Sequence, residues 1–558
     1  MLKSTEIATR LSASSISHAA PTADDGLYES MAKTPDLEGG ALREGGAPDI
    51  YSKEHVGLLV QYFGGGMIFS IFYSLVYPFL NNYLRMSGVA SASATVLMSL
   101  PYTLQAFFGI VSDCYPICGY RRRPYMLLGW AVCSVCCLVM AVSPIGDPYY
   151  PDPDLAYEDV TTLPDDVVAS FNTDAPGKGT KFVLLLIAAN LGVVLAFSAA
   201  GGTLVELSQR EPENVRGTLQ TMIWVARVVG DMAAGSLVGF GLNSADYGGS
   251  FKGSIGVSGL FVICTVVSVL TGVSTWFNIS EEKTSRLSLR TEMANLFELM
   301  QHKVVYYVLA FQLFKNMFAS VGVTASYPIQ SVWAKVEPVN SSVASILASG
   351  ISAIAFVVFQ KYGLSWNWRL IIIVAQLAVI AVDVFPTFLT IWDVYRSQWF
   401  WLGLPLIEQL PINVGFVVST FCMVEVIEDG NEAAFYGLMT AVSSLASPFS
   451  TVITKYVDMN FDIGLERLQA DDHEVRMQVT YAYLCQYALQ IFSLVFVVFL
   501  PRQKAETQAL KREGGQSFTV GVITAVLLVF LFVWAVLTNL LSIFESTACL
   551  VIAGGDGC

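Results

Sequence analysis

The stretch GIVSDCYPICGYRRRPYMLLGW, Gly109–Trp130, joins the end of one long apolar run to the start of the next. Gly109 would let two helices approach closely, and Asp113 stands at a helix end that a cation can reach. The three arginines at positions 121–123 follow in the loop. Two interpretations stay open. The arginines form a latch with acids or helix C-termini at this face of a membrane, or they are only the positive-inside signal of a membrane protein.

The composition of the whole chain supports a membrane setting. Its 558 residues are 54% hydrophobic and only 14% charged, with a mean hydropathy of +0.56, whereas a soluble chain carries about a quarter charged residues. A bilayer core of about 30 Å needs roughly 20 apolar residues per helix, and backbone inside it must satisfy its own hydrogen bonds. The sequence therefore predicts an all-α polytopic membrane protein.

Thirteen apolar runs are long enough to be spans, and they divide into six, six and one. They are residues 56–84, 90–112, 124–143, 182–207, 218–242, 254–277, 304–323, 343–361, 370–392, 399–424, 433–456, 481–500 and 518–544. The predicted organisation is a disordered cytosolic tail (1–55), a first six-helix bundle (56–278), a cytosolic linker (279–303), a second bundle (304–500), a further cytosolic linker (501–517), an accessory helix (518–544) and a short tail (545–558).

Charge distribution sets the predicted orientation. Lysine and arginine concentrate on the side that holds the N-terminus, which we therefore predict to be cytosolic. The net charge of −14 comes largely from acids in the loops 147–174 and 458–474 on the other side, so nucleic acid is not an expected partner. The sequon at Asn340 and the cysteines Cys549 and Cys558 also fall on that outer side. Either the plasma membrane or an internal membrane fits the sequence.

An internal similarity supports two related halves. VELSQREPENVRGTLQT (Val205–Thr221) resembles VEVIEDGNEAAFYGLMT (Val424–Thr440), and the two segments occupy equivalent helix junctions of the two bundles. Such repeats are typical of secondary transporters. The thirteenth helix has no counterpart in this scheme.

Several separated motifs resemble those of a known family. The Gly, Asp and basic residues of Gly109–Trp130 resemble the loop pattern of the major facilitator superfamily. With YPFLNNYLRMSG (Tyr77–Gly88), QREPENVRGTLQT (Gln209–Thr221), PIQSVWAKVEPVNSS (Pro328–Ser342) and EVIEDGNEAAFYGLMTAVSSL (Glu425–Leu445), they are similar to the folate-biopterin transporter family within it. The resemblance covers about residues 56–500. It implies a major facilitator fold of two pseudo-symmetric bundles and transport of folates or pterins, or of S-adenosylmethionine in some relatives.

Ionisable residues inside predicted spans are costly there and are the default candidates for a solute site. Arg227 and Asp231 lie one turn apart in the fifth span and could neutralise each other, either as a packing pair or as part of a solute or proton site. Lys315 lies beside Asn316 in the seventh span. A buried lysine without a partner would lose its proton or bind an anion, which suits a folate-like ligand.

The tenth span adds a second set of candidates. Glu408, Gln409 and Asn413 follow or flank two prolines, which we expect to kink the helix and free carbonyls. Glu408 is the first candidate for proton coupling, because burial of a carboxyl favours its protonated form. Asp383 in the ninth span is a lesser candidate.

The latch hypothesis assigns residues at the cytosolic helix ends. Glu206 and Glu425 occupy equivalent places in the two halves and are expected to face basic partners. The full set is Gly109, Asp113, Arg121, Arg122, Arg123, Glu206, Arg216 and Glu425.

Alternatives remain open at this stage. The acids Glu408, Asp383 and Asp231 would suit a cation such as S-adenosylmethionine, and a receptor or scaffold that moves no solute is a third hypothesis. We find no phosphate-cradling glycine loop, no nucleophile with its base and no metal-ligand spacing, so we expect neither an enzyme, a cofactor nor a metal site. The expected partners are the lipid bilayer, a small solute and, under the coupling hypothesis, protons. We expect a monomer.

Overall fold

The computed structural model describes residues 38–86, 88–153, 155, 164–403, 405–428, 430–541, 547 and 550. Over these residues the chain is helical and has no β-strand, only isolated bridges between loop residues. The predicted all-α class is confirmed. Cys549 and Cys558 lie outside the described residues.

The first half contains seven long helices. They are α1 (Val56–Ser74), continued by a π-helical stretch (Val76–Tyr83), then α2 (Gly88–Thr103), α3 (Gln105–Cys114), α4 (Arg123–Val142), α5 (Ala175–Gln209), α6 (Thr218–Gly241) and α7 (Gly256–Asn278).

The polar segment after α7 forms a helix, and the second half follows. The elements are α8 (Leu289–Gln301), α9 (Lys303–Ala319), α10 (Pro338–Tyr362), α11 (Trp368–Ile391), α12 (Gln398–Gly403), α13 (Pro405–Val426), α14 (Glu432–Asp458), α15 (His473–Phe492), α16 (Lys504–Glu513) and α17 (Phe518–Leu541).

Eleven helical stretches among the described residues are long and apolar enough to cross a bilayer. The predicted spans 304–323 and 433–456 are not among them; the first is helical only as far as Ala319, and the second lies within α14. Helix α9 has only 17 residues, and α14 contains Pro448 together with charged residues at its ends. Both helices contribute buried residues to one core cluster, so they need a less apolar surface than a helix surrounded by lipid.

Two helix pairs form the main seams between the halves. Helix α3 packs against α14, and α6 packs against α10. We call the end that holds the loops 115–122, 210–217 and 427–431 the Arg122 end, and the end that holds Tyr247 and Tyr327 the Tyr247 end. The accessory helix α17 packs against α2 of the first half, α14 of the second half and α8.

The N-terminal segment differs from expectation over its last part. Residues 38–55 were predicted to be disordered, yet Leu42 and Arg43 donate their backbone N–H groups to the carbonyl of Gln209 at 2.9 and 3.1 Å. Its polar composition did not indicate this packing, because hydrogen bonds and the ion pair of Arg43 with Glu432 hold part of the segment, and few apolar residues, such as Ile50, are buried. Residues 1–37 lie outside the described part of the chain.

Candidate functional site

An aromatic cage surrounds the guanidinium group of Arg227 on α6. The Cζ atom of Arg227 lies 5.3 Å from the ring centroid of Phe69, 5.3 Å from that of Phe197 and 5.6 Å from that of Trp224. All three distances fall within the range of cation–π attraction, which contributes about 0.5–2 kcal/mol per contact depending on solvent access. Helices α1, α5 and α6 therefore meet around one positive charge.

The predicted pairing of Arg227 with Asp231 is wrong. Asp231 accepts a hydrogen bond from the Ser70 hydroxyl at 2.7 Å instead, and no ion pair joins Arg227 to a carboxylate in the described part of the chain. The spacing does place both residues on one face of α6. The guanidinium turns toward the rings of α1 and α5, so its charge stays uncompensated.

Polar atoms with no hydrogen-bonding partner border the same cage. The hydroxyls of Tyr62 and Tyr102 and the indole N–H of Trp224 are buried and lack a well-formed hydrogen bond among the described residues. The Trp224 ring also packs edge-on against Phe416 of α13, with centroids 4.6 Å apart. The arrangement offers ring faces, hydrogen-bond donors and a cation to a planar anionic molecule, with contributions from both halves.

The seventh-span candidates have different surroundings. The Asn316 side-chain amide donates to Gln312 Oε1 and Ser443 Oγ, both at 3.3 Å. Lys315 makes no hydrogen bond or ion pair with any described residue, and no contact of that kind joins it to the cage around Arg227. Asn316 thus joins α9 and α14, while the Lys315 amine has no carboxylate partner among the described residues.

The tenth-span amides face α10. Asn413 donates to the Ser352 hydroxyl at 2.8 Å, and that hydroxyl lies 3.5 Å from Gln409 Oε1. Pro411 lies inside α13, Pro405–Val426, and the kink expected from the two prolines stays a prediction. Gln409 and Asn413 therefore join two helices of the second half.

Two carboxylates lie in the same region. Asp383 on α11 accepts from the Tyr487 hydroxyl at 2.7 Å and from the Thr387 hydroxyl at 3.4 Å. Glu408 Oε1 is buried without a hydrogen-bonding partner among the described residues. Neither carboxylate has a basic partner within ion-pair distance in that part of the chain. A proton would satisfy the orphaned oxygen of Glu408.

A buried ion-pair cluster holds the Arg122 end together. Arg122 bonds to Asp113, which the structure places directly against it, and also reaches Glu206 at 3.0 Å and Glu432 at 2.9 Å. The side chains of Arg122 and Glu432 are each only 1% exposed. Because Glu432 begins α14 of the second half, this cluster links the two halves.

The N-terminal segment completes this cluster. Arg43 forms an ion pair with Glu432, and Arg121 lies 3.8 Å from both Glu206 and Glu432. Three arginines thus face the three carboxylates of the cluster. A charge cluster buried to this degree is stable only when it is balanced and hydrogen-bonded.

A second set of contacts lies beside the cluster. Arg216 pairs with Glu425 at 2.7 Å, and Gln209 donates to the carbonyl of Ile427 at 2.8 Å. The Lys504 ammonium of α16 donates to the carbonyls of Glu213 and Arg216 at 2.8 and 2.7 Å. The 210–217 loop is therefore bound by both the C-terminal half and the segment after it.

Backbone contact between α3 and α14 seals the same end. A Cβ atom on Gly109 would overlap the backbone of Ala433, and one on Gly437 would lie 2.6 Å from the carbonyl oxygen of Gln105. The two helices can approach this closely only because both positions are glycine.

The third arginine of the loop has a different place. Arg123 donates to the carbonyl of Trp276 and lies over the rings of Tyr120 and Trp276, at 5.5 and 5.2 Å. It is not part of the ion-pair cluster, which corrects its predicted place in the latch. Glu281 accepts the backbone N–H groups of residues 121–123 and so fixes the loop.

Burial alters the pKa values of ionisable groups outside the spans, among them Glu292, Glu211 and Lys504. Burial, followed by the nearby carboxylates of Asp113 and Glu432, raises the pKa of Glu292 to about 7. Burial raises the pKa of Glu211 to about 7, although backbone N–H groups of Gly217 and Leu219 bind its carboxylate. Burial lowers the pKa of Lys504 to about 8.

The Tyr247 end contains a cavity, whereas the Arg122 end is closed. Its volume is about 530 Å³, and it lies between α1 and α6 on one side and α10 with the 327–336 segment on the other. Tyr77, Asn243, Gln330 and Ser345 are among its lining residues. Within the described residues, no group of three or more histidine, cysteine or acidic side chains is arranged to hold a metal ion.

Comparison with known proteins agrees with this geometry. Residues 66–147 match the model of the BT1 family. The chain is 22% identical over 380 residues to the folate-biopterin transporter of Synechocystis sp. (strain ATCC 27184 / PCC 6803 / Kazusa), covering 67% of this chain and 68% of that protein. It is also 22% identical over 165 residues to the probable folate-biopterin transporter 4 of Arabidopsis thaliana. That alignment covers 30% of this chain and only 28% of the relative.

Solved structures identify the fold. The D-xylose-proton symporter superposes with a TM-score of 0.55 at 14% identity, over 83% of this chain and 98% of the symporter. A structure of a proton:xylose symporter of the major facilitator superfamily, bound to 6-bromo-6-deoxy-D-glucose, gives 0.55 at 13% identity, over 82% and 97%. The chain is therefore similar to folate-biopterin transporters, and its fold is that of transporters of the major facilitator superfamily. That fold is the fold of a multi-pass membrane protein.

Two residues of the Arg122 cluster were not predicted from the sequence. Glu432 and Arg43 complete the Arg122 cluster, and neither was among the predicted residues. The internal repeat carried a signal for Glu432, since it occupies the place of Glu213 in the aligned segments. No sequence signal pointed to Arg43 or to the rings around Arg227, because their partners are distant in the chain.

Proposed function

We propose that the protein is a secondary transporter that carries a planar aromatic solute of the folate or pterin class. The observation that carries this proposal is the cage of Phe69, Phe197 and Trp224 around Arg227. A pteridine ring would stack on these faces and could accept hydrogen bonds from the buried hydroxyls of Tyr62 and Tyr102. The uncompensated guanidinium would attract a carboxylate or a ring oxygen. Lys315 is a second cation for the carboxylates of a folate.

The transport cycle that we propose is alternating access between two bundles, residues 56–278 and 304–500, which rock about the seams α3–α14 and α6–α10. In this conformation the Arg122 cluster and the Gly109 contact close one end, and the cavity lies at the other. The distribution of lysine and arginine favours a cytosolic Arg122 end. The conformation would then be the outward-facing one, with Asp113, Glu206 and Glu425 holding the cytosolic side closed.

Proton coupling through Glu408 and Asp383 is a further part of the proposal. Both carboxylates lack a basic partner among the described residues, and the Glu408 oxygen lacks a donor. Proton binding from the outer side would neutralise them, and release on the inner side would follow the change of conformation.

The test is uptake of labelled folate, biopterin and S-adenosylmethionine by cells with verified surface delivery of the protein. We expect saturable uptake of a folate or pterin, reduced at least about tenfold by Arg227→Gln, because one charge-assisted contact is lost. Arg502→Gln, at an exposed arginine far from the cage, is the matched control and should keep wild-type uptake. Uptake that is equal in the Arg227→Gln and control variants would reject the cage as the solute site.

Two arms of the same assay separate the other hypotheses. Uptake should rise with an inward proton gradient and lose that dependence in Glu408→Gln; indifference of the wild type to the gradient and to uncoupler would remove proton coupling. Lys315→Glu should abolish uptake of an anion and spare or improve that of a cation such as S-adenosylmethionine. Absence of any flux by delivered protein would favour a receptor or scaffold.

A further inference from the structure

An apolar groove runs along the outer surface of the first half, between α4 and α7. Its volume is about 540 Å³ and almost all of its lining is apolar, with Trp130, Val135 and Val269 among the lining residues. Gly272 and Ser268 on α7 and Ala131 and Ser134 on α4 leave space where longer side chains would fill it. The groove reaches the Arg122 end at Trp276 and Phe277, whose side chains are 57% and 68% exposed.

Three cations stand at that mouth of the groove, each over an aromatic ring. Arg123 lies over Tyr120 and Trp276, the Lys283 ammonium lies 5.7 Å from the Tyr120 centroid, and the Arg286 guanidinium lies 4.6 Å from that of Tyr115. The loop and the linker that supply them are joined, because Thr284 donates its N–H to the carbonyl of Gly119 at 2.9 Å. Arg123 and Lys283 therefore share the Tyr120 ring, and Arg286 follows three residues after Lys283, over Tyr115.

None of these three cations forms an ion pair with a carboxylate in the part of the chain that the structure describes. Glu281 lies two residues before Lys283, but its two oxygens are bound by backbone N–H groups of residues 121–123, at 2.5–2.9 Å. Glu282 is exposed and also takes part in none of the described ion pairs. The mouth of the groove therefore has more positive than negative charge.

We propose that this groove binds one anionic phospholipid, with an acyl chain between α4 and α7 and its phosphate group at Arg123, Lys283 and Arg286. The observation behind it is that an apolar groove wide enough for an acyl chain ends next to cations that have no carboxylate partner among the described residues. In a bilayer the phosphate of a lipid lies at the polar end of its acyl chain, which is the position these cations occupy relative to the groove. Basic pockets between helices are typical sites for anionic headgroups, and each cation near the membrane surface contributes about 1 kcal/mol. The site shares no residue with the ion-pair cluster and does not depend on the transported solute.

The experiment is native mass spectrometry of the purified full chain, titrated in detergent with phosphatidylglycerol and with phosphatidylcholine of the same acyl chains. The wild type should retain one phosphatidylglycerol in clear preference to phosphatidylcholine. Lys283→Gln/Arg286→Gln should weaken that binding about 10- to 30-fold, as expected for two lost surface cations. Arg502→Gln/Arg512→Gln, which removes two exposed cations from the 502–512 segment, is the charge-matched control and should bind as the wild type does.

A second variant tests the groove instead of the charges. Gly272→Leu should fill it, since a Cβ there meets only Trp130 Cβ at 3.6 Å, and binding should fall about tenfold or more. Val266→Leu on the exposed face of α7 is the control, and an unchanged melting temperature verifies folding. Equal retention of the two lipids, or equal loss in test and control variants, would overturn the proposal. Competition by glycerol phosphate that is as strong as competition by the lipid would also overturn it, because the groove would then contribute nothing to the binding free energy.

Discussion

At the scale of single residues, charge balance determines whether the Arg122 end stays closed. The cations Arg43, Arg121 and Arg122 face Asp113, Glu206 and Glu432 across the two halves. Every member but Arg43 belongs to a helix bundle or to the loop between α3 and α4. The cluster is balanced only while the N-terminal segment is in place.

We predict that Arg43→Gln destabilises the closed end. The substitution leaves an excess carboxylate at Glu432, which is 1% exposed, and the expected loss is about 1–3 kcal/mol, below that of a fully buried pair because Arg43 is partly accessible. The melting temperature in detergent should fall, and hydrogen exchange at residues 209–217 should accelerate.

A double-mutant cycle provides the control for Arg43. Glu432→Gln added to Arg43→Gln restores the balance of two cations against two carboxylates, so the double variant should recover part of the lost stability. A double variant that is less stable than either single variant by the sum of their effects would mean that the two side chains act independently.

Glu292 makes stability depend on pH near neutrality. Its pKa is raised to about 7, while a glutamate in the unfolded chain has a pKa of about 4.3. The folded protein therefore binds this proton more tightly, and stability falls as pH rises between these values. We predict that Glu292→Gln matches the wild type near pH 4, below the unfolded pKa, and melts at a higher temperature near pH 8.

A second titrating residue and a control residue are needed to interpret that pH profile. Glu211, with a pKa of about 7, should leave part of the pH dependence in the variant. Glu298→Gln, on the same helix α8, is the control and should keep the wild-type profile. A Glu292→Gln profile that parallels the wild type at every pH would show that Glu292 has no part in the dependence.

At the scale of helices, the crossing of α3 and α14 sets how tightly the Arg122 end closes. Gly109 leaves no room for a Cβ atom against the Ala433 backbone. We predict that Gly109→Ala shifts the protein toward a form open at this end, because the backbone of α14 would have to move away. Maleimide labelling of Cys114, which is buried in the closed form, should become faster.

Gly350→Ala is the matched control for that substitution. A Cβ at Gly350 meets nothing nearer than Met232 Sδ at 3.9 Å, so this variant should label as slowly as the wild type. If both variants label at the same rate, the α3–α14 contact does not limit opening.

The helices themselves were largely predictable, and the contacts between them were not. Apolar length predicts most of the spans, but α5 extends from Ala175 to Gln209, well beyond the predicted 182–207, because its ends are polar and lie outside the apolar run. Arg227 and Asp231 were recognised as candidates from their depth in a span. They do not pair because the Arg227 guanidinium lies against rings of α1 and α5. Those contacts join residues that are distant in the chain, so no local sequence pattern indicates them. Arg43 was missed because a polar segment that packs by hydrogen bonds has the same composition as a disordered one.

At the scale of the whole molecule, the account combines a closed Arg122 end, a cavity at the Tyr247 end and a caged cation between the halves. Alternating access requires that the two ends change in opposite directions. A solute that stacks between Trp224 of the first half and Phe416 of the second would draw the Tyr247 end together and relieve the Arg122 end.

The most direct test of this account is a pair of distance measurements by electron spin resonance, with and without folate or biopterin. One spin-label pair at Cys118 and Ser365 would report on the Arg122 end, and another at Lys252 and Val394 would report on the Tyr247 end. The account predicts that solute shortens the second distance and lengthens or broadens the first, and that Arg227→Gln abolishes both changes. Distances that stay fixed in the presence of transported solute, or that change in the same direction at both ends, would contradict it.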